Sequence, residues 1–238
     1  MGSEGPKSVR INVTGFKKFH GVDANPTETI VKNLKNYVDS RGLPPGVTLG
    51  TCAVLETAGD GAVSELYKVL DSGISSRTNS SNEKVVWVSQ NSFACRRINH
   101  DTFGSSCRLH LGVSKGALKF ALERQAVNEA TFCSPDELGW QPQQLPVILG
   151  DGGISQTRMT SCPIEAIFEF LKRKGYDANI SNDAGRFVCN FVYYHSLKFA
   201  EQKGHKSLFV HIPPFSRVDE KTQMQFIVEL LEAIASTY

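Results

Sequence analysis

At 238 residues, 40% hydrophobic and 21% charged, the chain is long enough to bury one large core and has a globular rather than a disordered composition. A net charge of +2 argues against nucleic acid or an anionic membrane as a partner. No apolar run approaches the ~18 residues of a membrane span. The polar opening MGSEGPKS lacks the apolar stretch of a secretory signal. Six irregularly spaced cysteines then read as reduced thiols rather than a disulfide framework, so a cytoplasmic protein is expected.

Strand-like and helix-like segments alternate. Ser8–Thr14 carries β-branched residues up to Gly15 and predicts a first strand. Pro26 opens a helix with Ile30, Leu34, Tyr37 and Val38 on one face, and Gly42 stops it. Val47–Leu55 predicts a second strand, Asp60–Leu70 a second helix, and Lys84–Val88 the start of a third strand. The polar stretch Ser89–Leu109 has no sustained period and reads as a loop inserted into a strand that would otherwise run from VVWV to HLGV.

In the latter half, CPIEAIFEFLKRKG is an amphipathic helix with Ile164, Ile167, Phe168 and Leu171 inward. Tyr176–Ser181 predicts a short strand, Val188–Gln202 a helix, Ser207–Ile212 a buried strand and Thr222–Ser236 a closing helix. Such alternation implies an α/β fold: one three-layer α/β/α domain over residues 1–238, with a mostly parallel central sheet. The insertion at about 89–109 is expected to leave the surface as an excursion from that domain.

In a doubly wound sheet, sites lie at the carboxyl ends of the strands. Cys189 opens a helix after one predicted strand, and His211 lies at the end of the next. If those strands are parallel, thiol and imidazole emerge on one rim, as a nucleophile–base pair requires. Unpaired N–H groups at the helix start favour an anion there and suit the oxyanion of a tetrahedral intermediate. A structural reading stands beside this one, since a cysteine in GRFVCNFVYY fits a core and a histidine before Ile-Pro-Pro fits a satisfied structural one.

Other candidates carry less. Cys95, His100, Cys107 and His110 have metal-ligand chemistry but match no usual zinc spacing, so no metal site is expected. His195 sits well round the helix from Cys189 and reads as a surface or packing residue. From composition alone Glu123 is one surface carboxylate among others. GDGGIS lacks the strand–turn–helix context of a dinucleotide site.

Four segments in order resemble the pyroglutamyl-peptidase I family of cysteine peptidases, also called pyrrolidone-carboxylate peptidases: VTGFKKFHG followed by NPT, HLGVSKGALKFALERQAVNEA, SNDAGRFVCNFVYYHSL and SLFVHIPPF. The resemblance implies hydrolysis of the bond after an N-terminal pyroglutamyl residue through a thioester, without metal or organic cofactor. It implies Cys189 as nucleophile, His211 as general base and acid, and Glu123 as the acid that orients the imidazole. It also assigns Phe16 and Phe19, as loop residues, and Phe187 and Val188 to the substrate pocket. Peptides with an N-terminal pyroglutamate would be the partners; the sequence leaves a homo-oligomer open. The insertion departs from the family pattern and keeps a catalytically impaired homologue as an alternative. Another α/β enzyme, such as a nucleoside phosphorylase-like protein, is a further one.

Overall fold

The β-branched opening forms strand β1, Val9–Phe16, in the computed structural model, which describes residues 8–72 and 106–238. It runs two residues past the expected end because Phe16 is itself core, 2% exposed. Helix α1, Pro26–Arg41, starts where the Asn25 side chain accepts the Thr27 N–H at 3.1 Å. It ends at Gly42, whose φ of 87° favours glycine. Strand β2 is Val47–Leu55, and a 3₁₀ turn at Asp60–Ala62 leads into α2, Val63–Ser72.

Strand β3, Ser106–Val113, follows, with all eight residues buried. The loop expected over 89–109 therefore ends earlier than predicted: Ser106–Leu109 already lie in the sheet, and Arg10–Val13 pair with them. The strand expected at Lys84–Val88 and the rest of the insertion lie outside the described residues.

Next come β4 (Phe120–Glu123), β5 (Gln125–Val127), β6 (Thr157–Met159), α3 (Ile164–Arg173) and β7 (Ala178–Ser181). Then follow α4 (Val188–Lys203), β8 (Lys206–Ile212) and α5 (Glu220–Ala235), the last capped by the Asp219 carboxylate on Thr222 N. Sequence reading missed β4, whose four residues give too short a pattern to separate from a loop.

The main sheet has the order β2-β1-β3-β8-β4-β7, so the last strand made fills its centre. All neighbours are parallel except β4 and β8. One apolar cluster joins the sheet to α1, α3 and α5 through Leu34, Leu171 and Leu230. A second joins the opposite face to α2 and α4 through Leu66, Phe191 and Tyr194. That is the expected three-layer α/β/α arrangement with a mostly parallel sheet.

One assumption behind the site is overturned. β7 was expected to run parallel to β8 and one crossover away. Instead β4 lies between them, parallel to β7 and antiparallel to β8, so β7 and β8 run in opposite directions. No helix among the described residues is long and apolar enough to cross a membrane.

Phe120 on β4 stacks on Phe226 of α5 with ring centroids 3.6 Å apart, and Tyr176 packs edge-on against the same ring. Phe226→Ala removes a fully buried ring at that seam. We expect it to cost about 3–5 kcal/mol of stability, read by urea denaturation.

Candidate active site

Helix α4 begins behind Phe187, whose backbone is extended and whose side chain supplies no cap. The first N–H groups of any helix lack intrahelical acceptors, so this start presents free donors and the positive end of the helix dipole. Cys189, half-buried, is the second residue of the helix. Asn190 fixes that turn. Its side chain accepts Val127 N–H at 2.8 Å and donates to the carbonyls of Val127 at 2.8 Å and Glu129 at 3.0 Å. An asparagine inside so apolar a helical run is the signal that would have marked it.

His211 stands one residue from the end of β8, in register with Gly112 of β3. A methyl group on Gly112 would lie 3.0 Å from Cys189 Sγ and 2.6 Å from the Phe209 ring. Only a bare backbone lets the start of α4 settle over these two strand ends. The thiol and the imidazole therefore share one rim, although β7 and β8 oppose each other. The bridge is the segment 182–187, which carries the chain from the end of β7 to the start of α4.

Glu123 ends β4. In the antiparallel pairing Ala121 faces His211 and Glu123 faces Phe209, so all four side chains lie on one face of the sheet. From there Glu123 Oε1 reaches His211 Nδ1 at 2.8 Å. Glu123 is 1% exposed, so its reading as a surface carboxylate is corrected. Its other oxygen, Oε2, has no hydrogen-bond partner among the described residues. With Nδ1 turned to the carboxylate, Nε2 is the imidazole edge left for Cys189.

The electrostatics follow from this layout. Burial pushes the His211 imidazolium down. The hydrogen bonds and charges of Cys189 and then Glu123 together outweigh that, and His211 is pushed up to about 10. Other histidines behave differently. His110 lies between Thr14 Oγ1 (2.6 Å) and Ser196 Oγ (2.7 Å), and burial followed by the Arg108 charge pushes it down to about 3. His195 is buried beside the Tyr67 hydroxyl at 3.1 Å and is pushed down to about 4, first by burial and then by Lys198. It is a packing residue and not a surface one.

The four pocket candidates divide into two pairs. Phe19 and Phe187 are half-buried, with ring centroids 6.5 Å apart and tilted by 41°. Phe132 extends the group, 4.5 Å from Phe187 and 5.1 Å from Trp140. The Lys115 ammonium lies 5.2 Å from the Phe19 ring centroid and donates to the His20 carbonyl at 3.1 Å. Phe16, by contrast, belongs to β1 and packs on Phe209 at 6.3 Å, so it is a core residue rather than a loop residue. Val188 is likewise buried. Phe132 and Trp140 escaped notice because their segment carries no periodic pattern.

Cys107 and His110 project to opposite faces of β3, since Cys107 meets Cys162 at 3.9 Å and His110 meets Ser196. They do not converge on one ion; Cys95 and His100 lie outside the described residues. Among the described residues no three His, Cys, Asp or Glu side chains gather as a metal site would require.

A family model described as pyroglutamyl peptidase matches residues 76–230, which takes in three of the four motifs and leaves the first outside. A pyrrolidone-carboxylate peptidase of Pyrococcus furiosus is 26% identical over 207 residues, covering 86% of this chain and 81% of the relative. One from Vibrio campbellii is 28% identical over 231 residues, covering 95% and 91%. A solved mutant pyrrolidone carboxyl peptidase from P. furiosus superimposes with a TM-score of 0.73 at 23% identity, covering 95% of this chain and 98% of that one. That likeness establishes the fold.

The His211 environment makes a direct prediction. Cys189→Ala removes the larger of the two supports for the imidazolium, so the His211 titration should fall from about 10, as followed by imidazole NMR. Gly112→Ala should disturb the same pair sterically and slow alkylation of Cys189 by iodoacetamide.

Proposed function

The chain belongs to the pyroglutamyl peptidase family, and on that premise we propose that it is a cysteine peptidase that removes an N-terminal pyroglutamyl residue from peptides. The observation that carries the reading is the 2.8 Å bond from Glu123 to His211, with Cys189 supporting the same imidazole from an uncapped helix start.

In this reading the Cys189 thiolate attacks the carbonyl carbon between the lactam ring and the next residue. Charge that develops on the carbonyl oxygen is taken up by the free N–H groups at the start of α4, each worth about 3 kcal/mol. His211, already carrying its proton, gives it to the departing amine, and a thioester remains on Cys189. Water then attacks the thioester while His211 accepts its proton, which releases pyroglutamate and restores the thiolate–imidazolium pair. Glu123 holds the imidazole in one tautomer and balances its charge throughout.

Phe19 and Phe187 fit the recognition step. Both rings are half-buried and lie 6.5 Å apart, and aromatic faces of this kind hold a small neutral ring by dispersion. A pocket that pairs the lactam N–H and carbonyl would leave those partners unmet with proline, and would reject it. Phe16 and Val188 belong to the apolar cluster against which Phe187 packs. The free cysteines of the described residues and the absence there of a membrane-crossing helix fit a cytoplasmic enzyme acting as one domain.

The test is hydrolysis of a fluorogenic pyroglutamyl amide beside the matching proline amide. Wild type should cleave the first and spare the second. Cys189→Ser should lose at least about 1,000-fold in kcat/KM, and Glu123→Gln about 100- to 10,000-fold. Phe19→Ala should raise KM about tenfold with a smaller change in kcat. No turnover from well-folded wild type would overturn the proposal and favour the impaired homologue.

A further inference from the structure

Tyr193 is fully buried one helical turn beyond Cys189, on the same face of α4. Its hydroxyl donates to the Glu123 carbonyl at 2.9 Å, and its ring lies 5.5 Å from that of Phe209, the residue paired with Glu123 across the sheet. Because Glu123 Oε2 has no partner among the described residues, only the imidazole holds the carboxylate directly. Everything else that aims it acts through its backbone, at the last residue of a four-residue strand. Just beyond, Arg124 leaves the sheet, its N–H on the Ser181 carbonyl at 2.7 Å and its carbonyl accepting Thr160 N–H at 2.9 Å.

We infer that Tyr193 is a positioning residue for the reaction: its hydroxyl fixes the end of β4 from the nucleophile's own helix, and so sets the aim of the Glu123 carboxylate at His211. The inference rests on the peptidase reading for its consequence in turnover, but its geometry concerns Glu123 and His211 alone. One helix thus sets two members of the site, carrying the thiol at Cys189 and gripping the acid's main chain at Tyr193. A shift of α4 would move both together and leave their spacing intact. A tyrosine kept only to fill the core would contribute its ring and leave the imidazole indifferent to its hydroxyl.

Tyr193→Phe separates the two roles, because it removes one oxygen and keeps the ring. The control is Phe199→Leu, which trims the buried far end of α4 without touching the site. We expect Tyr193→Phe to lower kcat for the pyroglutamyl amide roughly tenfold with KM little changed. The His211 titration should move down by roughly one pH unit as the carboxylate loosens. Phe199→Leu should lose stability while keeping both. An unchanged His211 titration in folded Tyr193→Phe would overturn the inference, whatever the turnover. If wild type proves inactive on the amide, the peptidase reading fails and the NMR measurement still decides the role of Tyr193. Should Tyr193→Phe not fold, 3-fluorotyrosine at position 193 keeps the hydroxyl and changes its donor strength at the cost of one small added atom. A displaced His211 titration would then support the inference, and an unmoved one would overturn it.

Discussion

A carboxylate sealed from water is tolerable only against a positive charge, and the bond between Glu123 and His211 meets that condition at the centre of the sheet. Much of the local architecture follows from it. The acid must arrive on a strand beside the one that bears the imidazole, and β4 does so by running against β8. The thiol must arrive from the helical layer, at the start of α4. Gly112 leaves the room for that approach. Three elements distant in sequence meet over a few ångströms, with the imidazole placed between the carboxylate and the thiol.

The molecule treats its histidines in opposite ways by the company they keep. His110 and His195 are buried beside hydroxyl groups, which share hydrogen bonds but offer no charge, and both are held neutral. His211 is largely buried too, yet it faces a thiol and a carboxylate and is held as a cation. Burial alone does not decide a protonation state; the sign of the neighbours does.

Much of this was legible in the sequence where the periodicity was long. The helices at 26–41, 188–203 and 220–235 and the buried strand at 206–212 follow from apolar spacing, caps and β-branched runs. The rim shared by Cys189 and His211 was also foreseen, though for a reason that does not hold, since β7 opposes β8. Strand β4 went unseen because four residues carry no period, and with it went any physical reason to choose Glu123 among the acids. Only the family resemblance singled that residue out. Phe16 reads as a loop residue because Gly15 looks like a strand's end, whereas the strand continues through it and packs it on Phe209.

The place of β8 in the sheet bears on how the protein is born. As the chain is synthesised, the thiol of Cys189 and the carboxylate of Glu123 both exist before His211 has been added. Without β8 between β3 and β4, the strand order leaves two separate halves, β2-β1-β3 and β4-β7, with no strand joining them. The nascent chain therefore holds the thiol and the carboxylate before it holds the imidazole that lies between them. The same insertion that completes hydrogen bonding across the sheet also assembles the charge pair. The geometry of the site is thus a property of the closed sheet and of no smaller part of it.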